Sequence, residues 1–320
     1  MTSPASSTDH GGWWKLSLPL PGELEESLLW KLPELGVTRL AVLHAPGTPS
    51  ERELVAWLPQ SDWPETDLQQ LEHALQPLAE VFAITLPPLR WQPVADEDWG
   101  LTWKQHWAPD PVSASLLVLP AWLEPPPEAQ GRHVIRIDPG LAFGTGAHPS
   151  TRLCLEGLDV LGRERVATEG APVDRPLAGL RVADLGCGSG LLGLAALALG
   201  AEEVWAVDTD PLAIRATTNN AALNGVTTIH AAVGSIEALE RQLEGQLADV
   251  LLCNILAPVI AELAEGLSRI LNPKGVGLLS GLLVSQADEL IATLGALGWN
   301  ANLRASQDPW ALLTLAGPKK

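Results

Sequence analysis

The sequence predicts an α/β protein in which a small α+β domain precedes a Rossmann-like domain with a mostly parallel, seven-stranded sheet. Apolar strands alternate with helical segments from residue 180 onward, which is typical of a parallel sheet covered on both faces. Residues 13–92 show the order βαββαβ, which is the ferredoxin-like pattern. The length of 320 residues also suffices for two domains of roughly 100 to 200 residues each.

The N-terminal domain is expected at residues 13–92, after a small, polar tail at residues 1–12 that is expected to be disordered. Runs of apolar residues predict its four strands, in WWKLSLPL, TRLAVLHA, ELVAWLP and AITLPPLRW. Helical spacing predicts its two helices, in GELEESLLWKLPELG and PETDLQQLEHALQPLAEV. This order predicts two helices on one face of a four-stranded antiparallel sheet.

Residues 93–130 are predicted to link the two domains through a tryptophan-rich helix. Trp99, Trp103 and Trp107 recur every four residues, so they would form one apolar stripe on a helix. Packing in the core and between the domains is the favoured interpretation of this stripe, and a docking surface for a partner is the alternative.

The second domain is expected at residues 131–320. Its strands are predicted in LRVADLG, EEVWAVD, TTIHAAVG, ADVLLCN and KGVGLLSGLL, followed by two late strands. Residues 162–179 are polar and contain proline and glycine, so they are predicted as a surface loop. Ligands of parallel sheets bind at the carboxyl ends of the strands, so the loops after the first, second and fourth strands are where chemistry is expected.

Composition argues against several classes of function. The 20 basic and 38 acidic residues give a formal charge of −18, so direct nucleic-acid readout is not expected. A basic protein partner is one interpretation of this charge, and an acidic surface that serves only solubility is the other.

No apolar run reaches the roughly 18 to 20 residues of a membrane span, and the start lacks a secretory pattern, so a cytoplasmic location is expected.

The three cysteines, Cys154, Cys187 and Cys253, are far apart and include no C-x-x-C pair. Neither a disulfide framework nor a metal site is therefore expected.

The loop after the first strand of the second domain is rich in glycine and carries a carboxylate. It reads Asp184-Leu-Gly186-Cys-Gly188-Ser-Gly190, and glycines here let the backbone approach a ligand closely. The stretch also satisfies the G-x-G-x-x-G pattern of dinucleotide-binding proteins. Asp184 would repel a pyrophosphate and attract an ammonium group, such as the one on S-adenosylmethionine (SAM). Asp184 and the three glycines are thus predicted to bind this cofactor.

Polar side chains also end the second and fourth strands. Asp208 stands 18 residues after Gly190, where a carboxylate can accept hydrogen bonds from both ribose hydroxyls of an adenosine. Asn254 ends a buried strand, where its amide oxygen could aim an amine at a methyl sulfonium. A simple turn or helix cap is the alternative role for Asn254.

A glycine-rich stretch at residues 137–151 precedes a helix that is expected to begin near Thr151. This stretch, IDPGLAFGTGAHPST, is predicted to form a lid over the active site. Thr151 is expected to contact the cofactor and Phe143 to shield it. His148 could accept a proton, although a structural role is favoured for a single loop histidine. Asn254, Phe143 and His148 are the candidate catalytic residues.

Together these motifs resemble those of one family, the ribosomal protein L11 methyltransferases (PrmA). The resemblance rests on IDPGLAFGTGAHPSTRLCLE, VADLGCGSGLLGLAALALGA, VDTDPLAIRATTNNAALNG and CNILAPVI, in the family's order, and covers nearly all of residues 13–316. It implies a class I methyltransferase fold, an N-terminal domain that recognises the substrate, and a Trp-containing linker. Ala147 and Ser150 stand where the family pattern leads us to expect threonines.

The resemblance implies transfer of methyl groups from SAM to lysine side chains or the N-terminal amine of ribosomal protein L11, leaving S-adenosylhomocysteine. The family's cofactor ligands fall on Thr151, Gly186, Asp208 and Asn254. A monomer is expected, and no dedicated general base is predicted, because burial beside a positive sulfonium lowers the pKa of the acceptor amine.

Three alternatives stay open. A nucleic-acid amino group could be the acceptor, although Ile255, Leu256 and Ala257 offer no ring to stack on a flipped base. A nicotinamide-dependent oxidoreductase would use the G-x-G-x-x-G pattern, against which Asp184 counts. A non-catalytic binding module would retain the pocket without transferring a methyl group.

Overall fold

The computed structural model describes residues 12–37, 39–45, 48–82, 84–94, 107–138, 146 and 148–317. The chain divides into two compact units, Met1–Trp107 and Ala108–Lys320. The predicted helix with Trp99 and Trp103 lies outside the described residues, as do residues 1–11 of the predicted tail. The domain limits at residues 13–92 and 131–320 stay predictions.

The N-terminal unit is a four-stranded antiparallel sheet with two helices, as its order of elements predicts. Its strands run in the order β2-β3-β1-β4. Leucines spaced three or four residues apart on both helices face the sheet and join its buried leucines in one core. The elements are β1 Trp13–Pro19, α1 Gly22–Glu34, β2 Leu40–Ala45, β3 Thr48–Pro59, α2 Glu65–Val81 and β4 Arg90–Val94.

The fourth strand lies later than the sequence predicts. AITLPPLRW is the predicted segment, but β4 occupies Arg90–Val94 and pairs with β1 through Trp91 and Leu16. Pro87 and Pro88 have no N–H group to donate to a neighbouring strand, so the ladder forms only after them.

The C-terminal unit is built on a seven-stranded sheet of order β12-β13-β11-β10-β7-β8-β9. The strands from β11 to β9 pair in parallel, and β13 pairs antiparallel with both neighbours. β5 and β6 form a separate parallel pair. The predicted Rossmann-like, mostly parallel sheet is thus confirmed. One apolar core covers each face of the large sheet, which explains why its central strands are continuous apolar runs.

The elements of this unit are β5 Leu116–Pro120, a 3-10 turn Pro127–Ala129, β6 His133–Ile137, α3 Pro149–Glu169, β7 Arg181–Leu185, α4 Leu191–Ala198, β8 Glu203–Asp208, α5 Pro211–Leu223, β9 Ile229–Val233, α6 Ile236–Gln242, β10 Ala248–Asn254, α7 Ala257–Leu263, a 3-10 turn Gly266–Arg269, β11 Leu271–Leu283, α8 Val284–Ala296, β12 Asn300–Gln307 and β13 Trp310–Ala316.

The prediction of a surface loop over residues 162–179 is wrong for its first half, because α3 continues to Glu169. Gly162 does not break this helix. A Cβ atom there would lie 3.0 Å from Pro176 Cβ, so the glycine permits close packing. Arg165 Nη1 donates to the Pro176 carbonyl over 2.8 Å, and Gly170, with φ of 71°, ends the helix.

The order of the strands sets where a ligand can bind. From β7 the chain proceeds outward through β8 to β9, then returns to place β10 on the other side of β7. Sheets with this reversal bind their ligands in a crevice at the carboxyl ends of the strands on either side of it, which here are β7 and β10. Within the described part of the chain, no helix is long and apolar enough to span a bilayer.

Candidate cofactor and active site

The glycine loop turns sharply between β7 and α4. The N–H groups of Gly186 and Cys187 both donate to the carbonyl of Val207, over 2.9 and 3.0 Å, which ties the loop to β8. Gly190 has a φ of 79°, and a Cβ atom on it would lie 2.8 Å from Thr217 Cγ2. Only glycine fits this turn, because the loop packs directly against Thr217 of α5.

Asp208 lies at the carboxyl end of β8 and closes the glycine loop. Its Oδ2 accepts the N–H of Gly188 over 2.9 Å, and its Oδ1 accepts the N–H of Asp210 over 3.0 Å. Burial raises the pKa of this carboxyl, while the two N–H groups oppose the shift. Each oxygen has a second lone pair, so the carboxylate can still accept hydrogen bonds from a ligand.

Asp184 lies deeper than its predicted role suggests. Its side chain is fully buried, and Oδ2 accepts the N–H of Gly193 in the first turn of α4 over 3.0 Å. Oδ1 is buried without a hydrogen-bond partner among the described residues. Burial raises the pKa of this carboxyl to about 7. The carboxylate is directed inward toward α4. The predicted contact between Asp184 and an ammonium group stays a prediction.

Asn254 and Thr151 are joined by a hydrogen bond at the carboxyl end of β10. Asn254 Nδ2 donates to Thr151 Oγ1 over 3.1 Å, so the end of β10 is joined to the first turn of α3. Both side chains are buried. Asn254 Oδ1 has no hydrogen-bond partner among the described residues. A buried acceptor left open in this way costs free energy unless a ligand satisfies it.

The turn after Asn254 is fixed between two glycines. A Cβ atom on Gly186 would lie 2.4 Å from Ile255 Cγ2, and one on Gly281 would lie 2.5 Å from the Ile255 carbonyl oxygen. Both glycines have positive φ, 77° and 80°. The positions of Ile255 and Asn254 therefore depend on having glycine, which has no Cβ atom, at position 281 of β11 and at position 186 of the glycine loop.

His148 is the N-cap of α3. Its Nδ1 accepts the N–H of Ser150 over 3.2 Å and lies 2.8 Å from the hydroxyl of Ser150. The ring is buried and packs edge-on against Trp310, with centroids 4.7 Å apart. This geometry gives His148 the structural role of a cap. Phe143, the predicted shield, lies outside the described residues, so its role stays a prediction.

Two buried residues of α5 that the sequence analysis did not single out hold the glycine loop. Thr217 Oγ1 donates to the Gly188 carbonyl over 3.0 Å. Asn220 Nδ2 donates to the Ser189 carbonyl over 2.9 Å, and its Oδ1 accepts the N–H of Asp138 over 2.9 Å. The available signal was the polar run TTNN within an otherwise regular amphipathic helix.

Asn224, the C-cap residue of α5, holds the end of β6. It accepts the N–H of Arg136 over 2.8 Å and donates to the Arg136 carbonyl over 2.7 Å. Asn220 and Asn224 together attach β6 and Asp138 to α5.

The cysteine thiols of this region are unsuited to covalent chemistry. Burial raises the pKa of Cys187 well above its ordinary value and also raises the pKa of Cys253. A buried, protonated thiol is a poor nucleophile. The open groups are instead carboxylates, an amide oxygen and backbone around the glycine loop. This set suits holding a polar ligand and orienting an amine.

Comparisons with known proteins agree with this geometry. The family model described as ribosomal protein L11 methyltransferase (PrmA) matches residues 12–317. A protein of that name from Parasynechococcus marenigrum (strain WH8102) is 57% identical over 297 residues, which are 92% of this chain and 98% of that protein. Another, from Synechococcus sp. (strain RCC307), is 54% identical over 304 residues, covering 95% of this chain and 96% of that protein.

A solved structure also matches. The crystal structure of a ribosomal protein L11 methylase from Lactobacillus delbrueckii subsp. bulgaricus has a TM-score of 0.56 and 29% sequence identity to this chain. The match covers 67% of this chain and 100% of that chain.

Proposed function

The chain belongs to the ribosomal protein L11 methyltransferase (PrmA) family, and from this premise we propose that it transfers methyl groups from SAM to amines of ribosomal protein L11. The observation that carries the proposal is the amide oxygen of Asn254, which is buried where such sheets have their ligand crevice and has no hydrogen-bond partner among the described residues. An amine entering this crevice would supply the missing donor.

The residues present fit SAM as the methyl donor. Gly186, Gly188 and Gly190 all have positive φ, a turn that can present backbone rather than side chains to a ligand, and Asp208 retains acceptor positions for ribose hydroxyls. Thr151 and Asn254 would complete the cofactor contacts. Asp184 is buried and directed toward α4, and its negative charge would still favour an ammonium group at the glycine loop. When bound, SAM supplies a methyl group on a sulfonium, which is already electrophilic.

The work of the protein is then to align the acceptor amine and to favour its neutral form, whose proton leaves to solvent before the amine is buried. Thr151 holds the Asn254 amide by its nitrogen, so that Oδ1 can accept an N–H from the amine and direct its lone pair. At pH 7, neutralising a lysine costs about 4 to 5 kcal/mol and an N-terminal amine only about 1 kcal/mol. Burial lowers this cost, because it disfavours the ammonium form. We propose no dedicated general base, and His148 acts as a cap.

The charge of the chain supports a basic protein as the acceptor. The formal charge is −18, which opposes binding to nucleic acid and favours a cationic partner. We propose that residues 13–92 recognise the ribosomal protein and that the enzyme works as a cytoplasmic monomer.

The experiment that tests the proposal does not presuppose the acceptor. Purified protein is incubated with methyl-labelled SAM and a ribosome-free lysate of cells that lack the enzyme, and labelled molecules are identified by mass. We expect label on one small basic protein, at lysines or the N-terminus. Label on RNA, or SAM binding without any labelled protein, would contradict the proposal.

A further inference from the structure

Three large apolar side chains are exposed beside the proposed methyl-transfer site. Leu256 is 49% exposed, Val259 39% and Val284 40%. Leu256 is the second residue after Asn254, and Val259 lies in the first turn of α7. Val284 is the first residue of α8, which follows the neighbouring strand β11. All three lie at the carboxyl edge of the sheet, where the crevice opens.

Each of the two helices also carries an acidic residue on the same face as its exposed valine, one turn further from the strand ends. Glu262 follows Val259 by three residues on α7, and Asp288 follows Val284 by four residues on α8. Residues at these spacings lie on one face of a helix. Glu262, Asp288 and the adjacent Glu289 are all exposed.

The helices α7 and α8 lie side by side, because they contact each other and follow adjacent parallel strands. One further contact joins this pair to the turn after Asn254. Gly281 of β11 packs against the backbone of Ile255, so the turn that carries Leu256 is held against the strand that leads to Val284.

We propose that this α7–α8 surface, comprising Leu256, Val259, Val284, Glu262, Asp288 and Glu289, binds the segment of the acceptor protein that flanks the methylated amine. The inference rests on the proposed function and adds a second contact surface, within the catalytic unit itself. The segment that fits is amphipathic, with apolar residues next to the amine and basic residues beyond them.

Two observations favour this occupant. The first is continuity: an amine bonded to Asn254 brings its neighbouring residues over the rim of the crevice, where Leu256 lies. The second is charge: carboxylates on both helices attract a cationic polypeptide and repel a polyanion. Exposed apolar side chains with an acidic border also match the apolar centre and polar rim of a protein interface.

The test compares two sets of substitutions in the full-length protein. The surface variant carries Leu256→Ser, Val259→Ser and Val284→Ser. The control variant carries Leu297→Ser and Leu303→Ser, which remove two equally exposed leucines, 43% and 50%, at the far end of α8 and on β12. Methyl transfer from labelled SAM to purified ribosomal protein L11 gives KM and kcat, and calorimetry gives the Kd for SAM.

We expect the surface variant to raise KM for the ribosomal protein about tenfold or more, since it removes apolar area that the acceptor would bury. The Kd for SAM and the melting temperature should match those of the control variant. A second variant, Glu262→Gln with Asp288→Asn and Glu289→Gln, should reduce the dependence of KM on salt concentration.

A surface variant whose KM equals that of the control variant would overturn the inference about the α7–α8 surface. The proposed function would stand, because the wild-type protein in the same assay would still show methyl transfer. If the wild-type protein transfers no methyl group to the ribosomal protein, the proposed function and the inference that rests on it both fall.

Discussion

The side-chain amide of Asn254 donates to the hydroxyl of Thr151 over 3.1 Å and joins segments that are 103 residues apart in the chain. The bond holds the amide by its nitrogen and leaves Oδ1 as a buried acceptor that has no partner in the described part of the chain. The first turn of α3, capped by His148, thereby sets the orientation of the residue at the end of β10. The proposed chemistry depends on this relationship more than on any ionisable side chain.

Replacing Thr151 with valine should lower kcat/KM for methyl transfer about tenfold, because valine keeps the shape of the side chain but cannot accept the Asn254 bond. Thr151→Ser keeps the hydroxyl and should retain most of the activity. Steady-state transfer to ribosomal protein L11 at several SAM concentrations measures both variants. Equal loss in both would show that packing, and not the hydrogen bond, is what Thr151 contributes.

Gly281→Ala should destabilise the protein by about 1 to 3 kcal/mol and reduce methyl transfer, because the new Cβ would lie 2.5 Å from the Ile255 carbonyl oxygen. Gly170→Ala is the matched control, since Gly170 also has positive φ and has no atom within 4 Å of the added Cβ. Urea unfolding gives the free energy of unfolding of each variant. Equal losses would mean that backbone strain, not the contact with Ile255, is the cause.

Gly186→Ala should slow methyl transfer, because the added Cβ would collide with the side chain of Ile255, which a second substitution can shorten. The added Cβ would lie 2.4 Å from Ile255 Cγ2, a side-chain atom that Ile255→Ala removes. The double variant should therefore recover part of the SAM affinity and transfer rate lost in Gly186→Ala. No recovery would show that the positive φ of Gly186, rather than its proximity to Ile255, accounts for the loss.

Asn220→Asp should weaken SAM binding by roughly tenfold, because aspartate can still accept from the Asp138 N–H but cannot donate to the Ser189 carbonyl. Asn224→Asp is the comparison variant, since the side chain of Asn224 bonds Arg136 of β6 and the backbone carbonyl of Asn220, and among the described residues it has no hydrogen bond to the glycine loop. Calorimetry with SAM separates the two. Similar affinities for both variants would argue against control of the glycine loop by Asn220.

The buried carboxyl of Asp184 should make stability depend on pH. Its pKa is about 7 in the folded protein, raised by burial, and about 3.9 in an unfolded chain. Between these values the folded state binds more protons than the unfolded state, so the free energy of unfolding should fall as pH rises from about 4 to about 7. Asp184→Asn should remove this part of the decline, as measured by urea unfolding at several pH values.

Glu25, in the N-terminal unit, provides the control for that measurement. Burial raises the pKa of Glu25 to about 7, against the opposing charge of Arg52. Glu25→Gln should remove its own share of the pH dependence and leave the share of Asp184. An unchanged pH profile in Asp184→Asn would contradict the raised pKa of Asp184.

The sequence identified the ends of the central strands because the rule that governs them is local. Asp208 and Asn254 each follow an apolar run, and a parallel sheet brings such positions to one edge. Periodicity could not locate the hydrogen bonds of Asn220, because they depend on how α5 is rotated against the glycine loop. A different limit applies to α6, Ile236–Gln242. This helix has only seven residues, which are too few to show a helical pattern of apolar residues in the sequence.

Glycine and proline were the main sources of error in the predicted elements. Gly162 was interpreted as a loop residue, but it lies inside α3 where the helix packs closely on Pro176. Turn propensity and close packing both favour glycine, and only the fold distinguishes them. In the N-terminal unit, Pro87 and Pro88 sit inside the apolar run predicted as the fourth strand, which in fact begins at Arg90.

The most direct measurement is the intact mass of purified ribosomal protein L11 after incubation with SAM and either the wild-type protein or Asn254→Ala, at saturating SAM. We expect the wild-type protein to add methyl groups to amines of the ribosomal protein. Asn254→Ala should be slower by about a hundredfold or more, because the amine loses its acceptor. An unchanged mass with the wild-type protein would contradict the proposed methyl transfer, and equal rates for both proteins would contradict the role of Asn254.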